Sequence, residues 1–100
     1  MKRPERIRIL GKRWTISWVD KLEADGDSLN GYCEAEKQNI SIAIGQPMDT
    51  EQDSLLHEVL HAIEGSMGMD LDEEVIARLA TGLLAVLKDN PAFTAYLRGK

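Results

Sequence analysis

The chain has 100 residues, of which 43% are apolar and 29% are charged, a composition typical of globular rather than disordered proteins. This length allows one modest hydrophobic core, so we expect a single domain over residues 1–100. The formal net charge of −5 argues against binding to a nucleic-acid backbone, because little positive charge is available to displace its counterions. No apolar run is long enough to span a bilayer, and no signal peptide is visible at the start. A lone cysteine, Cys33, cannot form an internal disulfide, which favours a reducing, cytoplasmic compartment. We expect no membrane partner.

The first half of the sequence alternates apolar and polar residues with the period of β-strands. The alternation covers Arg6 to Leu10 and Trp14 to Val19, and then, after a polar segment with an Asp-Gly-Asp turn, Gly31 to Glu36 and Ile40 to Ile44. We expect a small antiparallel sheet of about three strands with one apolar face. Trp14 and Trp18 share a strand face and are expected in the core.

The second half has the three- and four-residue spacing of amphipathic helices. After Pro47, Thr50 and Asp53 resemble a capping box for a first helix, which Gly65 and Gly68 should end. Its apolar positions are Leu55, Leu56, Val59, Leu60 and Ile63.

A second helix is predicted from Asp70 as the N-cap, with Glu73 at the position that closes a capping box. Its predicted buried stripe consists of Val75, Ile76, Leu79, Ala80, Leu83, Val86 and Leu87. Asn90 and Pro91 should end this helix and begin a short final one that runs to Leu97. The predicted fold class is therefore α+β, with the sheet first and three helices after it.

Both histidines of the chain lie in one pentapeptide, His57–Glu58–Val59–Leu60–His61. On a helix, residues four apart lie one turn apart on the same face, so both imidazoles can bind one metal ion. Glu58 lies beside the pair, where its carboxylate can act on a metal-bound water without ligating the metal. Zinc is the usual ion for nitrogen and oxygen ligands with one open position, so we expect a zinc site with Glu58 as general base.

Two histidines and a water leave a tetrahedral site one protein ligand short, and a carboxylate or Cys33 must supply it. The acidic residues Asp70, Asp72, Glu73 and Glu74 follow a short glycine-containing turn after His61. Asp70 is assigned to the cap and Asp72 to the first turn, which leaves Glu73 and Glu74. Helical angles do not decide between them. We favour Glu74, because small residues three and seven positions later would allow a close helix approach.

The motif His57–Glu58–Val59–Leu60–His61 followed by Glu74 resembles the gluzincin branch of zinc metallopeptidases. Glu74 to Leu79 is similar to the segment that carries the third ligand in that branch, although Arg78 replaces its aspartate. Three further segments are the front Ile9–Leu10–Gly11–Lys12, the Leu55–Leu56 pair before the motif and Lys88–Asp89–Asn90–Pro91 near the end. With them the chain resembles, over nearly its full length, small zinc metallopeptidases encoded in phages and prophages. The resemblance implies a minimal zincin fold with His57, His61 and Glu74 as zinc ligands, and a sheet edge that pairs with an extended peptide. We expect Ile40 to Ile44 to be that edge strand.

Three functions are compatible with these features. The first is a zinc-dependent peptidase that acts on a peptide or protein substrate. The second is a binding or regulatory module that keeps the fold but has little hydrolytic activity, which the short chain favours because it offers little material for a substrate cleft. The third is a protein in which zinc mainly stabilises a small core.

Overall fold

A mixed four-stranded sheet packs against the first of three helices in the computed structural model, which describes residues 2–99. The strands are β1 (Arg6–Ile9), β2 (Lys12–Val19), β3 (Leu22–Ala24), β4 (Asp27–Leu29), β5 (Gly31–Glu34) and β6 (Asn39–Ala43). The α-helices are α1 (Met48–Ser66), α2 (Glu73–Asp89) and α3 (Pro91–Arg98), and a short 3-10 helix (Ala35–Lys37) lies between β5 and β6. The predicted α+β class and the order of sheet before helices are confirmed. None of the helices in residues 2–99 combines the length and the apolar character needed to cross a membrane.

The sheet is larger than the predicted one and is not wholly antiparallel. Its order is β1-β2-β6-β5, while β3 and β4 form a separate hairpin. Strand β6 pairs in parallel with β2, with Ile16 opposite Ile40, and antiparallel with β5. The prediction of a purely antiparallel meander was wrong because the segment between β2 and β6 makes its own hairpin and brings β6 back beside β2.

Strand β6 is interior, so the prediction that Ile40 to Ile44 forms the sheet edge was wrong. Ile40 and Ile42 are fully buried, and Ser41 and Ala43 on the opposite side of the strand are also buried. Burial on both faces is typical of a central strand. The edges of the four-stranded sheet are β1 and β5.

The helices begin without the side-chain caps that the sequence predicted. Helix α1 starts after Pro47, two residues before Thr50, and α2 starts after Asp72 rather than Asp70. Neither N-cap residue makes a side-chain cap hydrogen bond. Helix α3 begins at Pro91, as predicted, because the fixed φ of proline suits the first turn.

The core lies between the sheet and one face of α1. Trp14 is buried within it, as predicted, whereas Trp18 is half-buried at its margin. The buried members are Ile9, Trp14, Ile16, Ile40, Ile42 and Ala62, and the partly buried Leu55, Val59 and Ile63 of α1 pack against them. This packing fixes the rotation of α1 about its axis and thereby the direction of its polar side chains.

The N-terminal segment is tied to α1 and β2 by polar contacts. Arg3 forms hydrogen bonds of 3.0 and 3.1 Å to the carboxylate of Glu51, which is buried. The same guanidinium lies 5.5 Å from the centre of the Trp18 ring, and Trp18 Nε1 donates a 2.7 Å hydrogen bond to the carbonyl of Pro4. The buried charge of Glu51 is thus paired rather than isolated.

Only part of the predicted apolar stripe of α2 is buried. Ile76 and Ala80 are buried against the rest of the molecule, whereas Val75, Leu79, Leu83 and Val86 are 42–46% exposed. The prediction treated all of these residues as one face. Helix α2 instead packs on α1 through the face with Ile76 and Ala80. Its remaining apolar residues form a second face that is largely exposed.

Candidate metal centre

His57 and His61 lie one turn apart on α1, and their side chains converge as the spacing predicts. The two Nε2 atoms are 3.2 Å apart, and the rings are tilted by 58° with centroids 4.9 Å apart. Both side chains are partly buried, with 18% and 26% of their surface exposed. The pentapeptide therefore presents two imidazole nitrogens to one point.

Glu73, at the first position of α2, is the carboxylate that meets the two histidines. Its Oε1 lies 2.5 Å from His57 Nε2, and its Oε2 lies 2.8 Å from His61 Nε2. His57, His61 and Glu73 form the one group of potential metal ligands found among residues 2–99. The candidate ligand atoms of the three residues all lie within 4.8 Å of one another.

The favoured third ligand, Glu74, does not join this group. Its side chain is 70% exposed and pairs with Arg78, four residues later, at 2.5 Å. Because α2 begins at residue 73 and packs through Ile76 and Ala80, the inner face of the helix is the one that contains Glu73. Glu73, the alternative that the sequence left open, is therefore the residue whose carboxylate lies beside both histidines.

Glu64 supports His61 from the side away from Glu73, a contact that the sequence analysis missed. Its Oε1 lies 3.0 Å from His61 Nδ1, and its Oε2 accepts the backbone N–H of Leu71. That N–H, followed by the contact with His61, lowers the pKa of Glu64. Glu64 lies three residues after His61, a spacing that could have indicated the contact. Glu64 thus links the group of His57, His61 and Glu73 to the turn between α1 and α2.

The hydrogen bond to Glu64 determines what His61 offers at its other nitrogen. An ionised carboxylate only accepts, so Nδ1 must carry the hydrogen, and in the neutral ring the Nε2 lone pair is free. That lone pair is directed at a Glu73 oxygen and at His57 Nε2. The Nε2 lone pair of His61 and the Glu73 oxygen are both acceptors, and they repel each other unless a cation lies between them. A proton or a metal ion can fill this role.

The donor set also suits zinc in type and spacing. Zinc–nitrogen bonds of about 2.0–2.1 Å at tetrahedral angles place two nitrogens about 3.3 Å apart, close to the observed 3.2 Å. Two imidazoles and a carboxylate are a common set of three protein ligands in zinc sites that keep one open position. The carboxylate on His61 Nδ1 is the usual outer partner of a ligating histidine.

Glu58 is buried at the wall of the site, where β5 approaches α1. Only 9% of the residue is exposed. Burial raises the pKa of its carboxyl, an effect opposed by the nearby His57 and His61 and reinforced by Glu73. A β-carbon placed on Gly31 would lie 3.0 Å from Glu58 Cγ and 3.2 Å from its Oε2. Gly31 is thus the residue that allows Glu58 to lie against the edge strand.

We expect Gly31→Ala to lower the free energy of unfolding by about 1–3 kcal/mol, because the new methyl group overpacks against Glu58 and Ile42. Urea denaturation would measure this loss. In a Glu58→Ala background the loss of unfolding free energy should be smaller, since only the Ile42 side chain is then left to clash with the new methyl group. The matched control is Gly65→Ala in α1, where a β-carbon meets nothing within 4 Å. Equal costs of Gly31→Ala in both backgrounds would contradict the close contact.

A small cleft opens beside His57 and Glu58. Its volume is about 240 Å³, and its walls come from the start of β5 and one face of α1. The lining residues are Asn30, Gly31, Thr50, Asp53, Ser54, His57 and Glu58. All of these residues except Gly31 have polar side chains, and the cleft is of a size that accommodates a side chain rather than a large ligand.

Cys33 is not among the residues that converge on the histidines. It lies on β5, half-buried against the core. Burial, with smaller effects from the charges of Glu58 and Glu34, raises the pKa of its thiol to about 11. The side chain is therefore a small core residue that stays protonated near neutral pH.

At pH 8 we expect Cys33 to react with iodoacetamide about 100-fold more slowly than it would at the ordinary thiol pKa of 9.0, because the thiolate is the nucleophile. The rate should rise roughly tenfold per pH unit up to about pH 11. Mass spectrometry of the native protein over time gives this rate, and the urea-unfolded chain serves as the control. Equal rates in the folded and unfolded chains would contradict the burial of the thiol.

Comparison of the chain with protein-family models, with curated proteins and with solved structures found no match.

Proposed function

We propose that this protein is a zinc-dependent peptidase, with His57, His61 and Glu73 as zinc ligands and Glu58 as the general base. The observation that carries the proposal is the convergence of two imidazole nitrogens and a carboxylate, with Nε2–Nε2 at 3.2 Å and Glu73 within 2.8 Å of both rings. A buried carboxylate immediately beside this cluster supplies the proton acceptor that hydrolysis needs. A minimal zincin fold, implied by the sequence resemblance, belongs to the same proposal.

Each side chain has a distinct role in this mechanism. Zinc, when bound, supplies a Lewis acid and a water of lowered pKa. Glu64 holds the Nδ1 hydrogen of His61 and so directs the Nε2 lone pair towards the ligand cluster. Glu58 takes the proton from the attacking water and later delivers it to the leaving amine, which leaves the carboxylate ready for another cycle.

The edge strand β5 is the proposed docking site for the substrate backbone. It forms an edge of the four-stranded sheet, and its first residue, Gly31, lies so near Glu58 that a β-carbon at Gly31 would be 3.0 Å from Glu58 Cγ. An extended peptide that adds to this edge would carry its backbone past the general base, with side chains alternating towards and away from the protein. The cleft between Asn30 and His57 would receive one of these side chains.

The test is a peptide-library cleavage assay on the zinc-loaded protein with Glu58→Gln as the matched variant. We expect cleavage by the wild type and a loss of about 10²–10⁴-fold in Glu58→Gln, because removal of a general base typically costs that much. Elemental mass spectrometry should find near one zinc per chain in both. Cleavage at equal rates would exclude Glu58 as the base.

The second candidate, a binding or regulatory module, is favoured by the small cleft, which offers little room for substrate specificity. It predicts one zinc per chain, no cleavage by the wild type and unchanged behaviour of Glu58→Gln. A protein in which zinc only stabilises the fold would additionally lose thermal stability in EDTA and in His57→Ala. Absence of zinc from the reconstituted wild type would reject all three forms of the proposal.

A further inference from the structure

Helix α2 carries a second apolar face that nothing in residues 2–99 covers. Val75, Leu79, Leu83 and Val86 are each 42–46% exposed, although α2 already packs on α1 through Ile76 and Ala80. Positions 75, 79, 82 and 86 follow the four-three-four spacing of a helix–helix seam. Isolated exposed leucines are ordinary, but a continuous stripe of this kind is typical of an interaction surface.

Gly82 lies in the middle of this stripe, and no contact within one copy of the chain requires a glycine there. A β-carbon at this position would meet no atom within 4 Å. Glycine is the least favourable non-proline residue inside a helix, so its presence at an exposed helical position has a cost that alanine would avoid. A gap that admits a large side chain from an opposing helix would offset this cost.

We propose that this protein forms a reversible homodimer in which two α2 helices pack antiparallel through the stripe of Val75, Leu79, Gly82, Leu83 and Val86. A two-fold axis between positions 82 and 83 sets Leu83 against the gap over the partner's Gly82. The same axis sets Leu79 against the partner's Val86. The stripe is therefore complementary to itself, which is the requirement for a two-fold interface.

Charges on one flank of the stripe agree with the same arrangement. Arg78 and Asp89 lie 11 residues apart, which is about three helical turns, so they share one flank of α2. Arg78 is 79% exposed at its side chain, and Asp89 is also exposed. The antiparallel axis brings Arg78 near the partner's Asp89 twice in each dimer.

The length of the stripe limits the strength of the association. Positions 75 to 86 span about 16 Å of helix, which makes an interface smaller than that of a stable obligate dimer. We therefore expect a dissociation constant of tens of micromolar. Sedimentation equilibrium should give a mass near 11.2 kDa at about 2 µM and approaching twice that value at about 200 µM.

Leu83→Glu should weaken the dimer by at least about 100-fold, because it buries a charge at the centre of the seam. The matched control is Leu10→Asp, which replaces another exposed leucine (59% exposed) outside α2; its dissociation constant should equal that of the wild type. Gly82→Ala should raise the thermal midpoint of the dilute monomer and yet weaken the dimer, a combination that a merely exposed helix would not give.

The charge pair tests the antiparallel register independently. Arg78→Glu and Asp89→Lys should each weaken the dimer about tenfold, and the double variant should restore it. A wild-type mass that stays at 11.2 kDa at 200 µM would overturn the proposal. Equal weakening by Leu83→Glu and Leu10→Asp, or unchanged association of Gly82→Ala, would overturn it as well. Circular dichroism of each variant verifies that the fold is kept.

Discussion

Glu73→Gln should abolish stoichiometric zinc binding, whereas Glu74→Gln should leave it intact. Glu73 faces both Nε2 atoms, and Glu74 pairs with Arg78 at the surface. We expect zinc affinity to fall by more than about 100-fold in Glu73→Gln, because loss of a ligand should exceed the 10- to 100-fold effect of losing an outer hydrogen bond. Competition with a fluorescent chelator would measure both dissociation constants.

The two variants control for each other closely. Each removes one negative charge from the first turn of α2, so the interaction with the helix dipole changes in the same way in both. Loss of the exposed Glu74–Arg78 pair should cost little stability. If Glu74→Gln lost zinc and Glu73→Gln kept it, Glu74, the ligand favoured from the sequence, would be the correct one. Helix α2 would then have to be rotated from the position that packs Ile76 and Ala80 inward.

Ile76→Ala should be the most destabilising of the α2 substitutions, at about 2–5 kcal/mol. Ile76 is 1% exposed where α2 packs on the rest of the molecule, so truncation leaves a cavity. Urea denaturation in EDTA, at a protein concentration of a few micromolar, separates this effect from zinc binding and from self-association.

The control is Leu79→Ala on the same helix. Leu79 is 46% exposed, and its replacement should change the free energy of unfolding by no more than about 0.5–1 kcal/mol. The sequence pattern alone gives Ile76 and Leu79 the same role. Equal destabilisation by the two substitutions would mean that Leu79 is as buried as Ile76, and the second apolar face of α2 would not exist.

Local patterns determined the elements and the central motif. Period-two alternation located the strands that flank the core, and the 3.6-residue period located the helices, because these periods are set by backbone geometry. The spacing of His57 and His61 was sufficient to predict that their side chains converge, since residues four apart on a helix always share a face. The short helix at Pro91 was equally local, because proline restricts φ.

Long-range packing decided what these patterns left open. The parallel pairing of β2 with β6 makes β5 an edge of the sheet, and no local signal specifies which strands become neighbours. The identity of the third residue near the histidines depends on where α2 begins and on which face packs against α1. A one-residue difference turns a helix by about 100° and therefore exchanges Glu73 and Glu74.

The sequence by itself therefore determined the α+β class, the order of the elements and the pair of histidines on one helical face. Only the tertiary structure brought Glu73 to that pair, placed Glu64 behind His61 and fitted Glu58 against Gly31. These contacts join residues on different elements or across a turn, and they depend on the rotation and docking of α1 and α2. That rotation is determined by the burial of Ala62, Ile76 and Ala80 in the packed molecule, a property of the whole fold rather than of any one segment.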